Sequence, residues 1–149
     1  MPDDASAILR LLAIKQRDPA MGLILIAASA DQLADWIAIS TQEIPEPLPT
    51  QPITWIVPAA AGVSALVRGR HSGVAVRVTV NSVARELCLA VNSPLVSTSA
   101  NLSGQPVARN QLILRRKLAS RVDYVVPGQC GPARAASEIR VLKTGQQLR

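Results

Sequence analysis

The sequence predicts a single α/β domain, and three observations carry that reading. A helix-period segment at the start runs into "GLILIAA" (22–28), a continuous apolar run of strand length. Two β-rich runs, "ITWIVPA" (53–59) and "GVAVRVTV" (73–80), are followed by a capped helical segment leading directly into "PLVSTSA" (94–100). At 149 residues the chain fits one domain and is long enough to bury a core.

The elements follow in order. "MPDDASAILRLLAIKQR" predicts a helix with Asp3 or Asp4 as N-cap, Ile8, Leu11, Leu12 and the stem of Lys15 on one face, and an end near Gln16. "GLILIAA" predicts a strand covered on both faces. In "SADQLADWIA", Ser29 and Gln32 have capping-box spacing and predict a second helix. Prolines 45, 47, 49 and 52 make the next stretch extended and irregular. "NSVARELCLAV" predicts a helix capped by Asn81, and strand, helix and strand in succession suggest a crossover unit. Beyond it, "NQLILRRKLASR" predicts a basic helix, "YVV" (124–126) a short strand and "SEIRVL" (137–142) a closing strand.

Composition narrows the function classes. Sixteen Lys and Arg against ten Asp and Glu give a formal charge of +6, so the surface attracts anions such as nucleotides or RNA. Aromatic residues are only 2% (Trp36, Trp55 and Tyr124), which argues against a platform that stacks single-stranded bases. Two cysteines, Cys88 and Cys130, and one histidine, His71, provide neither paired zinc-ligand spacing nor a Ser/His/Asp arrangement, so no metal site is expected. Cys88, among apolar helical neighbours, reads as a small buried hydrophobe. With no signal segment and no apolar run near 18 residues, the reading is a cytoplasmic protein with no membrane partner.

The most informative stretch is "STSANLSG" (97–104), where an apolar strand stops on four hydroxyls, one amide and a glycine. Such residues make turns. They also make an anion cradle, since Ser97, Ser99 and Ser103 donate hydroxyl protons, Asn101 both donates and accepts, and Gly104 allows close backbone approach. Lys15 and Arg17 end the first helix, where the dipole alone favours cations. Alternation places Arg77 with Ala75 and Thr79, opposite Val74, Val76 and Val78, and an arginine in an apolar strand suits a carboxylate or phosphate unless that face is solvated. Neither GxxxxGK[ST] nor GxGxxG is present, so a nucleotide would be held without a glycine-rich signature. The "RRK" run at Arg115 to Lys117 reads as a solvated face, with RNA-backbone contact as the alternative.

"KQR", "GLILIAA", "PITWIVPA", "GVAVRVT" and above all "PLVSTSANLSG" resemble the YrdC-type threonylcarbamoyl-AMP synthases over essentially the whole chain. The resemblance implies a twisted mixed sheet with flanking helices and a concave basic surface. It implies an enzyme that joins L-threonine, bicarbonate and ATP into threonylcarbamoyl-adenylate and pyrophosphate, with Mg²⁺ assisting. The product serves modification of the adenosine beside the tRNA anticodon through a downstream threonylcarbamoyl transferase complex. Lys15, Arg17, Ser99 and Asn101 fall on the family's Lys-x-Arg and Ser-x-Asn positions, expected to offset and orient the triphosphate. Arg77 falls on the arginine expected to take the threonine carboxylate, Thr54, Ser97 and Ser137 on ligand-facing positions, and Arg149 on a terminal arginine that reaches the nucleotide.

Two departures qualify the match. Family members carry, before the counterpart of Met1, a strand-helix-strand unit with a Pro-Thr-Glu motif, so the chain is expected to be a shortened YrdC-like domain over 1–149 with an exposed sheet edge. Asp18 stands where relatives place proline, which here follows at Pro19. Losing the Pro-Thr-Glu unit weighs more on catalysis than on phosphate-backbone contact. A non-catalytic module binding tRNA or double-stranded RNA, or an inactive remnant, is therefore the alternative. Against it, backbone binding accepts cations at many positions, whereas this set is specific.

Overall fold

The computed structural model describes residues 1–108, 110–127 and 137–148. The first helix, α1, spans Ala5–Lys15; Asp4 caps it by accepting from the Ala7 N–H, and Gln16 ends it in the left-handed region. Its buried residues are Ile8, Leu12 and Lys15. Strand β1 (Ile24–Ala27) follows, then β2 (Ile53–Pro58), a short helix α2 (Ala65–Arg68), β3 (Gly73–Val78), α3 (Ser82–Ala90), β4 (Leu95–Ser97), α4 (Gln111–Leu118) and β5 (Glu138–Val141). Asn81 caps α3 through the Ala84 N–H, as its position predicts.

The strands form one mixed sheet in the order β4-β1-β3-β2-β5. β1 runs parallel to β3 and antiparallel to β4, while β2 runs antiparallel to β3 and parallel to β5. One face buries Leu25, Ala27, Val57, Val74 and Val76 against Ile8 and Leu12 of α1 and Val67 of α2. On the other, Ile26, Ala28 and Cys88 cluster with Ile24, Ala84 and Leu95, so α3 covers the β4/β1 side of that face. β1 is thus covered on both faces, which accounts for its unbroken apolar sequence.

Three predicted elements differ. Residues 29–38 form only a 3-10 turn, Ala30–Leu33, and Ser29 caps nothing. Gln32 instead accepts from the Ala28 N–H at 2.8 Å and donates to the Cys88 carbonyl at 3.0 Å, tying β1 to α3. The following backbone bonds across to the end of β2, with Ala38 N donating to Pro58 O and Ala60 N to Trp36 O, which leaves no helix to continue. A capping box does form, at Ser40 and Glu43. The β3-α3-β4 unit is not a parallel crossover, because β4 returns antiparallel on the far side of β1. Residues 124–126 lie outside any strand, and Tyr124 is exposed. Among the described residues no helix is long and apolar enough to cross a membrane.

Candidate functional site

The last turn of α1 and the loop after β4, 84 residues apart in sequence, meet at the end of the sheet where β1 begins. Lys15 is the link. Although charged, it is only 6% exposed, because its ammonium donates to the Ser99 carbonyl at 2.5 Å, to the Asn101 carbonyl, and to Asn101 Oδ1 at 3.1 Å. An ammonium has three N–H groups, and all three are engaged here. The Lys15 carbonyl, left open at the helix end, accepts from the Ser103 N–H at 3.2 Å. Burial, and secondarily the charge of Arg17, lowers the pKa of Lys15, while its acceptors favour the ammonium that alone supplies three donors.

The loop is cross-braced internally. Ser99 Oγ donates to Asn101 Oδ1 at 2.6 Å, and Asn101 Nδ2 donates to the Gln105 carbonyl at 2.6 Å. Asn101 therefore uses both ends of its amide within the loop. Ser99 stays exposed, with its hydroxyl lone pairs and the loop's hydroxyl-rich rim open to solvent.

Arg17 is different. Its Nη2 donates to the Gly22 carbonyl at 3.0 Å, yet its Nε is buried without a hydrogen-bond partner. A buried guanidinium N–H lacking an acceptor is costly, and an anion would satisfy it. The turn that aims Arg17 is held by close backbone contact: Gly69 and Gly22 both have φ +66, and a Cβ on Gly69 would sit 2.3 Å from the Ala20 carbonyl oxygen. These glycines escaped the sequence reading; the only signal was their place beside basic residues in "MGL" and "RGR".

A second group lies on the sheet face opposite the main core. Register pairs Ser97 with Ile24 and Arg77 with Ile26, and the pairing of Trp55 with Val76 puts Thr54 beside Arg77. Alternation then places Ser97, Arg77 and Thr54 on the same face. Arg77 is half-buried there, with half-buried Ala75 and Ile56 in the adjoining row. Thr54 and Ser137 are buried, and their hydroxyls bond each other at 3.1 Å. Arg149 lies outside the described residues.

The structure therefore joins Lys15, Ser99 and Asn101 in one network, leaves Arg17 beside it on the Gly22 carbonyl, sets Arg77 and Ser97 on a shared face, and bonds Thr54 to Ser137. Among the described residues no group of three or more His, Cys, Asp or Glu side chains could hold a metal ion. With its hydroxyls, amide and cations, the site suits binding and alignment of anions.

Comparison with known proteins follows the same lines. The family model described as "Telomere recombination", that of the Sua5/YciO/YrdC proteins, matches residues 1–149. A threonylcarbamoyl-AMP synthase of Xanthomonas euvesicatoria pv. vesicatoria is 41% identical over 154 residues, covering 99% of this chain and 82% of the relative. One from Chromohalobacter salexigens is 42% identical over 152 residues, covering 99% and 81%. Among solved structures, P. abyssi Sua5 complexed with L-threonine superposes with a TM-score of 0.82 at 23% identity, over 97% of this chain and 43% of the Sua5 chain. This chain thus spans less than half the length of that protein. E. coli YciO superposes with a TM-score of 0.78 at 20% identity, over 99% and 74%. At those identities the two structures show a common fold, a mixed sheet with flanking helices. Together with the family model and relatives above 40% identity over nearly all of its length, they establish that this chain belongs to the Sua5/YciO/YrdC family.

Proposed function

We propose that residues 1–149 form one domain that acts as a threonylcarbamoyl-AMP synthase, converting L-threonine, bicarbonate and ATP into L-threonylcarbamoyladenylate, pyrophosphate and water. The observation that carries this reading is the joining of Lys15 to Ser99 and Asn101, with Arg17 two residues on and its buried Nε unpartnered, in a chain 41% identical to a protein of that name.

The chemistry asks for charge neutralisation and alignment. The threonine amine adds to bicarbonate with loss of water, and a carbamate oxygen then attacks the α-phosphorus while the bond to pyrophosphate breaks. Two anions must approach each other, so fixed donors lower the barrier more than an added base would. Arg17 is the proposed phosphate ligand, since its buried Nε has no protein acceptor. Ser99 is proposed to bond a phosphate oxygen from the loop rim, and Ser97 to line the adjoining face. Lys15 and Asn101 are assigned a narrower role than charge alone suggests: their polar groups hold the loop in shape and place the Ser99 hydroxyl. Arg77 is proposed to take the threonine carboxylate. Thr54 and Ser137, beside Arg77 on that face, would line the same pocket, and Arg149 would reach the nucleotide.

Mg²⁺ is proposed to arrive on the triphosphate, because the described residues offer no carboxylate cluster to hold it as a resident ion. The product would pass in the cytoplasm to a transferase complex acting on tRNA. The test is mass detection of threonylcarbamoyl-adenylate made from ¹³C-bicarbonate. Labelled product whose formation falls by about 100-fold in Arg17→Met supports the assignment, as expected for removing one charge-stabilising donor. Unlabelled or absent product from folded protein overturns it.

A further inference from the structure

The two central strands create a second crevice, at the opposite end of β1 from the Lys15 network. Chain leaving β1 crosses the main-core face, where Leu33, Ile37 and Ile44 pack, to reach β2. Chain leaving β3 enters α3 on the other face and ends in β4, beyond β1. Neighbouring parallel strands whose connections depart on opposite faces leave a gap beyond their carboxyl ends, the place where open α/β sheets take ligands. A cavity of about 410 Å³ occupies it, in the lower range for small-ligand sites.

Its lining pairs opposite charges that do not meet. Glu46 of the proline-rich loop and Arg85 of α3 both border the cavity, and no ion pair joins them. Glu46 stands between Pro45 and Pro47, so its backbone is confined to extended conformations. Arg85 sits one turn into α3, near the end where the helix dipole favours an anion over a cation. The same cavity is lined by Ser29, which caps no backbone N–H, by Thr79, whose hydroxyl accepts from the Asn81 N–H at 3.3 Å, and by Ile44, Val78 and Val80.

We propose that this crevice binds a small free α-amino acid, its ammonium on Glu46, its carboxylate on Arg85 and its side chain against Ser29 and Thr79. A zwitterion carries a partner for each of these charges, which a simple anion or cation does not. The site is separate from the Lys15 network by the length of β1, roughly 13 Å at strand rise.

Calorimetric titration of the 149-residue chain with L-threonine provides the test. That probe is chosen because the proposed function uses it; the site itself does not depend on that function. Glu46→Gln and Arg85→Gln, both substitutions of exposed side chains, should each weaken binding at a site that survives in Arg77→Gln by about tenfold or more, the scale of a lost charged hydrogen bond. N-acetyl-threonine, without the ammonium, and threoninol, without the carboxylate, should bind equally poorly. Loss of all amino-acid binding in Arg77→Gln, with Glu46→Gln and Arg85→Gln unchanged, would overturn the proposal, as would no binding by a chain whose circular dichroism shows it folded. Binding with no adenylate product would leave the crevice standing and remove the synthase reading; product formation with no effect of either crevice variant would do the reverse.

Discussion

Lys15 illustrates how a single side chain can be conspicuous in sequence for one reason and act in the structure for another. A lysine closing a helix suggests a free cation for a phosphate, yet its three N–H groups point at oxygens of one loop. Replacing it with methionine should therefore loosen residues 98–105 before any nucleotide is added. Amide exchange in that loop should accelerate in Lys15→Met without ATP; unchanged protection would mean that the lysine acts on the ligand alone. The pairing was illegible in the sequence because 84 residues separate the partners and no periodicity links them. Local hydrogen bonding, by contrast, was legible: Asp4 and Asn81 cap their helices where the residue type and the following apolar pattern predict. Glu138 offers a pH test at the same scale. Hydrogen bonds from Arg140 and then Gln51 hold its pKa below the ordinary glutamate value of 4.5. With the folded pKa depressed, the contribution of these contacts is present at neutral pH and is lost as pH falls through the folded value, below 4.5. Carboxyl NMR titration should show Glu138 charged at lower pH than free glutamate, and Arg140→Met should move it back toward that value.

At the scale of elements, the turn carrying Arg17 depends on close approach to the end of α2. Leu23 N donates to Val67 O and Arg70 N to Ala20 O, so two backbones run in contact with no room for a side chain. Gly69→Ala would place a Cβ against the Ala20 carbonyl and strain a residue at φ +66, costing about 2 kcal/mol or more. Thermal unfolding would reveal it; a melting temperature equal to that of the parent would contradict the packing account. The strands were legible because apolar runs and alternation are local properties, as in Val74 and Val76 buried opposite Arg77. The helix predicted at 29–38 failed for a nonlocal reason. Gln32, Trp36 and Ala38 bond to distant segments, and those bonds outweigh a capping-box spacing.

For the whole molecule, fold class followed from the order of elements, whereas sheet order did not. Nothing in "PLVSTSA" announces that β4 would return antiparallel beside β1, and that return is what carries the hydroxyl-rich loop to the end of α1. The charge of +6 bears on the competing RNA reading. If the cations serve a small anionic substrate, duplex RNA should bind no tighter than about 1 μM at physiological salt, the upper range of nonspecific affinity. Fluorescence anisotropy across a salt series measures this, and nanomolar binding would favour the RNA module. The central claim, that the Lys15 to Asn101 network belongs to a site that activates a threonine carbamate, is tested most directly by pyrophosphate release with each substrate omitted in turn. The account predicts release only when ATP, L-threonine and bicarbonate are all present; release that ignores threonine and bicarbonate, or none from the folded chain, would contradict it.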